Sequence, residues 1–174
     1  MNILTTIHRA SGINIHGRTV TRTAVRAVIL RGRDLLMVYS ANVGDYKFPG
    51  GGVNDGETHE QALERELLEE CGAQLIRVNG GLGAVIEYDL PEERDFDVFK
   101  MTSNYYLCAV RDGVTNQSLE GYEAELGFQP VWVDIDKAIA ENRSLLLAPD
   151  PPEWLGREIF FLEYLRESLL QQTQ

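Results

Sequence analysis

Only two cysteines, Cys71 and Cys108, occur among the 174 residues, and they form no metal-spaced or redox-spaced pair. Such usage fits small buried side chains in a reducing compartment better than a disulfide scaffold. The 3 histidines are scattered, so no His/Cys cluster is available for zinc. Long hydrophobic runs are missing too: no stretch reaches the ~18 apolar residues of a membrane span, and Met1 to Ala10 lacks the apolar core of a signal peptide. A cytoplasmic protein with no membrane partner is expected. Basic residues are few, 16 Lys and Arg against 27 Asp and Glu, for a net charge of −11 and a pI near 4.7. That balance argues against broad electrostatic binding to polymeric nucleic acid or an anionic surface, either of which needs basic patches. With no linker, repeat or low-complexity segment, residues 1–174 read as one domain, and residues 1–12, poor in periodicity, read as a loose start.

What the chain does have is concentrated between Gly50 and Ala73, which reads GGGVNDGETHEQALERELLEECGA. Thr58 and Gln61 are spaced as a capping box, and Gly72 sits where a left-handed residue commonly ends a helix. A helix is therefore expected from about Gln61 to Cys71. At 100° per residue Leu63, Leu67, Leu68 and Cys71 share one side for burial, while Ala62, Glu66, Glu69 and Glu70 share the other. Like charges at this spacing disfavour a helix by a few tenths of a kcal/mol, roughly, and more so near the negative end of the helix dipole. Arg65 can offset one of them through its i,i+4 relation to Glu69. The remaining carboxylates suit a hard divalent cation, Mg²⁺ or Mn²⁺.

Gly51, five residues, Glu57, seven residues, Arg65-Glu66-Leu67, one residue, Glu69-Glu70, one residue, Gly72 resembles the Nudix box of the Nudix hydrolases. Ala73 stands where that pattern usually has a larger aliphatic residue. The resemblance implies an enzyme that hydrolyses a phosphoanhydride bond in a nucleoside diphosphate linked to another moiety, with a small-molecule substrate. It implies metal held by Glu66, Glu69 and Glu70 with the Gly50 carbonyl, joined by a loop acid, Glu123 or Glu125. Glu69, Glu70, Arg65 and Glu57 are then the catalytic set, with Arg65 and Glu57 in orienting roles and Glu69 or Glu123 as proton acceptor. Tyr46, Lys47 and Phe48 lead into the glycines, and the resemblance places this lead-in beside the substrate, with Tyr46 and Phe48 as contacts. Arg26, a charge inside an apolar strand, is a candidate for a ligand phosphate or for a strand-edge ion pair.

Elsewhere the pattern alternates strands and turns. Ile13 to Val20 reads as a short hairpin around His16-Gly17. Arg22 to Leu30 and Leu35 to Tyr39 read as strands joined by a turn at Arg31 to Asp34. Gln74 to Val78 and Leu82 to Tyr88 are separated by Asn79-Gly80-Gly81, and a charged loop, Pro91 to Asp95, precedes a strand from Asp97 to Val110. Asp112-Gly113 reads as a turn, Glu120 to Gly127 as an irregular acidic stretch, and Val131 to Val133 as a strand. Asp134 or Asp136 caps a helix through about Glu141, and a last helix from about Glu153 to Leu170 carries the stripe Leu155, Ile159, Leu162, Leu165 and Leu169. Tyr88, Phe96 and Phe99 are candidates to stack a base, and Phe160, Phe161 and Tyr164 offer a face for a homodimer. Mixed strands with two or three helices predict an α/β fold, which the resemblance sharpens to an α/β/α sandwich around a mixed sheet. Two readings from other classes remain: a nucleotide-sensing module that binds without cleaving, and an isomerase of isoprenoid diphosphates, for which Cys71 is a poor candidate.

Overall fold

The structure is a computed structural model that describes residues 1–111, 117–119 and 121–171. Asp112, Gly113 and Glu120 lie outside the described residues.

The helix at the centre of the sequence argument forms as its end signals require. It runs His59–Cys71 (α1), with Thr58 accepting from the Gln61 backbone while the Gln61 side chain accepts from the Thr58 backbone, so the capping box is complete. At the other end Gly72 is left-handed at φ 59°, and the Gly72 and Ala73 amides donate to Leu68 and Leu67. One expectation fails on this helix. Leu68 is 47% exposed, whereas Glu66 and Glu70 are buried at 6% and 4%. The carboxylate face is covered as well, because the Gly50–Gly52 loop lies against it.

Two sheets carry the rest. The first has the order β1 (Ile3–His8), β6 (Gln74–Asp89), β7 (Val98–Arg111), β2 (Thr19–Val28); the two outer pairings are parallel and the central one antiparallel. In the second, β4 (Asp34–Ser40) pairs antiparallel with β3 (Leu30–Arg31), β5 (Asp45–Lys47) and β8 (Phe128–Asp134). α1 packs Ala62, Leu63 and Leu67 against Val25, Ala27, Ile29 and Leu36. The opposite layer is α3 (Ile135–Leu145) and α4 (Leu155–Gln171), which bury Ile135, Ala138, Ile139, Phe161, Leu162 and Leu165 against Val28, Leu35, Met37, Val85 and Tyr105. Helices therefore cover both sides of mixed strands, the expected α/β/α sandwich.

Several local expectations are corrected. Residues 1–12 are not a loose start: Ile3–His8 adds to β6 as a parallel edge strand, a pairing that joins residues some eighty positions apart and leaves no local signature. Ile13 to Val20 forms no hairpin but a turn, with Gly17 N–H donating to the Asn14 carbonyl. Asn79-Gly80-Gly81 does not divide two strands. β6 passes straight through it, and the register against β7 shifts at these glycines, whose lack of a side chain permits bulges. The described part of the acidic stretch is a short helix, α2 (Gly121–Leu126). Asp134, not Asp136, caps α3, accepting from the Asp136 and Lys137 amides. Phe161 is fully buried, stacked 3.5 Å from Tyr105, so it offers no face to a second copy.

Candidate active site

Residues 49–53 lie along β2: the Val25 and Ala27 amides donate to the Gly51 and Pro49 carbonyls, and Val53 N–H donates to Thr23. Such proximity excludes side chains. A Cβ on Gly50, whose φ is +136°, would come within 2.1 Å of the Val25 carbonyl oxygen, and one on Gly51 within 2.4 Å of Glu66 Oε1. The glycines thus let a backbone loop press against the acidic face of α1. Gly50 N–H donates to Glu70 Oε2 at 2.7 Å.

Carboxylate oxygens of Glu66, Glu70 and Glu123 lie within 4.8 Å of one another. The first two come from successive turns of α1 and the third from α2. Burial pushes the Glu70 carboxyl up to about 8 and raises Glu66 as well, the latter opposed by Arg65. Buried carboxylates crowded together favour either protonation or a cation. Three hard oxygen donors without a nitrogen or sulfur ligand fit Mg²⁺ or Mn²⁺.

Glu69 stands apart from that group. Its side chain is 32% exposed and meets Arg65 Nη1 at 3.2 Å. Arg65 also forks onto Glu57, at 2.9 Å from Nε and 3.0 Å from Nη2, and reaches Glu66 Oε1 at 2.7 Å and the Gly52 carbonyl at 3.0 Å. Glu57 in turn accepts from the Asn54 amide. The guanidinium, then the amide, holds the Glu57 carboxyl down at about 2. One guanidinium therefore ties the loop, Glu57 and α1 into a single unit.

Beside this unit lies a cavity of about 810 Å³. Glu70, Gly50, Gly51 and Gly52 line it, together with Arg22, Arg26 and Lys47. Arg26 donates Nη1 to the Gly50 carbonyl, and its buried Nε has no hydrogen-bond partner among the described residues. Among the described residues it forms no strand-edge ion pair. Lys47 is 8% exposed, and desolvation pulls its ammonium down to about 8.

Expectation and geometry part at the lead-in. Tyr46 lies in the core, its ring 5.0 Å from Tyr39, and not on the cavity wall; Phe48 borders the cavity but is 1% exposed, its ring edge-on to Tyr105 and Phe161. Side chains alternate along an extended segment, so Tyr46 and Phe48 share the core side and Lys47 takes the other. Of the stacking candidates, Phe99 lines the cavity, Tyr88 stacks on His8 and Phe96 is exposed. Glu125 is exposed and lies outside the carboxylate group.

Trp154 and Arg157 on the cavity wall went unmarked in the sequence, and Lys47 was named only as part of the lead-in beside the substrate, not as a contact. Arg157 is fully enclosed: Nη1 meets Glu87 at 2.7 Å, Nη2 meets Glu158 at 2.8 Å, and Glu158 Oε2 accepts from the Phe48 amide at 3.1 Å. Arg9 completes the chain with a 2.7 Å contact to Glu87. The only sequence signal was polar residues inside an apolar stripe, Arg157-Glu158 before Ile159.

Comparison with known proteins bears on the family and the fold. A model of the NUDIX domain matches residues 20–155. A curated RNA pyrophosphohydrolase of Sulfurovum sp. is 37% identical over 70 residues, 38% of this chain and 45% of that protein. One of Bartonella clarridgeiae is 32% identical over 118 residues, 61% of this chain and 68% of that protein. The chain spans about half the length of most of the curated relatives it matches. Among solved structures, the E. coli ORF135 protein superposes with a TM-score of 0.53 at 21% identity, over 85% of this chain and 94% of that one. A MutT NUDIX hydrolase of Burkholderia pseudomallei does so at 0.50 and 24%, over 67% and 85%.

Proposed function

From the premise that this chain belongs to the NUDIX family, we propose that it is a divalent-metal-dependent pyrophosphohydrolase acting on a nucleoside diphosphate linked to another moiety. The observation that carries this reading is the convergence of Glu66, Glu70 and Glu123 within 4.8 Å beside the glycine loop and the cavity.

Glu66, Glu70 and Glu123 would hold Mg²⁺ or Mn²⁺, with the Gly50 carbonyl available once Arg26 turns from it. The ion supplies Lewis acidity toward the diphosphate oxygens and toward water. Arg65 keeps Glu66 and Glu69 oriented through the fork on Glu57. Glu69, outside the carboxylate group and partly exposed, is the acid of α1 that would take a proton from the attacking water. Arg26, released from Gly50, reaches a substrate phosphate through a guanidinium suited to bidentate contact.

Two readings compete on substrate. The relatives' name, RNA pyrophosphohydrolase, favours an RNA substrate, while the net charge of −11 favours a small molecule that brings few phosphates to an acidic surface. Incubation with Mg²⁺ and a panel of nucleoside triphosphates, nucleotide sugars, dinucleoside polyphosphates and a 5′-triphosphorylated RNA oligonucleotide, with products identified by mass, tests both. Cleavage at a phosphoanhydride, lost in Glu70→Gln, is expected. Tight binding of one compound without cleavage would replace the hydrolase with a sensing module.

A further inference from the structure

The cavity wall carries a cation that the carboxylate group does not use. Lys47 is 8% exposed, and its Nζ sits 3.8 Å from the centre of the Phe128 ring and 4.6 Å from that of Trp154. Among the described residues it forms no hydrogen bond and no ion pair. Ring faces attract an ammonium, but they offer no acceptor for its N–H groups, which are left to whatever enters the cavity.

The setting is fixed on several sides. Asp45 and Lys47 share one side of β5, and Asp45 Oδ2 accepts from the Trp154 indole N–H at 2.5 Å, which pins that ring. The Phe128 ring is met edge-on by Tyr122 at 5.9 Å, and the Phe128 carbonyl accepts from Gln117 Nε2. Asp45, Glu158 and Glu70 attract the Lys47 ammonium, while Arg26, its Nε buried without a partner among the described residues, lies close enough to repel it. Two like charges are thus held side by side in a chain of net charge −11. The exposed acids Glu92, Glu93 and Glu153 also line the cavity, so Lys47 and Arg26 form a cationic patch within a lining of mixed charge.

We propose that Lys47, framed by Phe128 and Trp154, is a phosphoryl-binding, specificity-determining residue that takes a substrate phosphate directly on its ammonium, with Arg26 as its neighbour. Calling that phosphate part of a substrate rests on the hydrolase reading; the anion site itself does not. The rings exclude water and leave the ammonium's donors to the anion. They also mean that the Phe128 and Trp154 faces toward Lys47 are taken and do not stack a base.

The test uses inorganic tripolyphosphate, titrated calorimetrically in EDTA into the whole chain, its Lys47→Met and Lys47→Arg variants, and wild type with citrate in place of phosphate. Wild type is expected to bind tripolyphosphate. Lys47→Met should weaken it roughly 10–100-fold, as loss of a charge-assisted contact does, with an unchanged or higher Tm, and Lys47→Arg should recover part of it. With the compound cleaved in the panel, Lys47→Met should raise KM and leave kcat within a few-fold. A folded Lys47→Met that binds tripolyphosphate like wild type, or a wild type that does not bind it, overturns the proposal. Stronger binding of citrate overturns the phosphoryl assignment. Tripolyphosphate binding that depends on Lys47 in a protein that cleaves nothing overturns the hydrolase reading and leaves the anion site standing.

Discussion

At the scale of single residues, burial decides what each charge does. Glu70 and Glu57 sit in one acidic unit, yet desolvation pushes one up to about 8 while an arginine fork holds the other at about 2. Their consequences for stability are opposite. Unfolded carboxyls titrate near 4.3, so as pH rises from there toward 8 the unfolded chain releases the Glu70 proton while the folded one keeps it. The Glu70 contribution is therefore present at low pH and lost toward pH 8. Glu57 contributes above the unfolded value and loses that contribution as pH falls toward 2. Calorimetry of metal-free protein between pH 5.5 and 8.5 should show Tm falling over the range of the Glu70 shift, and saturating Mg²⁺ should flatten the fall. Because the ion displaces that proton, Mg²⁺ affinity should rise from pH 6 to pH 8. The spacing of Glu66 and Glu70 showed in the sequence because a helix converts i,i+4 into proximity. Tyr46 misled because an aromatic residue beside a motif looks alike whether it faces substrate or core, and only the alternation along β5 tells them apart.

At the scale of elements, the loop of residues 49–53 and the ends of α1 set the geometry. Gly50→Ala would meet the Val25 carbonyl and a positive φ together, costing about 1–3 kcal/mol in denaturant unfolding. Gly51→Ala meets the Glu66 carboxylate instead, so it should reduce metal-dependent activity more than stability. Thr58→Ala removes the capping box and should cost about 1 kcal/mol by the same measurement. These ends were legible because capping is local: Thr58, Gln61 and Gly72 act within one turn. The strand at Ile3–His8 and the continuity of β6 through Asn79-Gly80-Gly81 were not, since partner strands far along the chain determine both.

At the scale of the whole molecule, a buried polar chain runs from the Phe48 amide through Glu158, Arg157 and Glu87 to Arg9. It joins the approach to the glycine loop with α4, β6 and the end of β1. Replacing Arg157 with Leu would leave Glu158 buried without a cation and Glu87 with Arg9 alone. A loss of about 3–5 kcal/mol in denaturant unfolding is expected, and a loss below ~1 kcal/mol would show that the chain is not structural. Its connections were not readable in sequence, because its members come from four separate segments.

The third carboxylate of the candidate metal group, which the family resemblance offered as Glu123 or Glu125, is Glu123, supplied by α2 from some fifty residues beyond α1. The most direct test is therefore the Mg²⁺ dependence of initial rate for wild type and Glu123→Gln on the compound the panel identifies. Glu123 lies half-buried on a short helix, so the variant should fold like wild type. A Mg²⁺ requirement at least about tenfold higher, or turnover lost outright, is the predicted result for a removed metal ligand. Superimposable Mg²⁺ curves in a folded variant would contradict the three-carboxylate site.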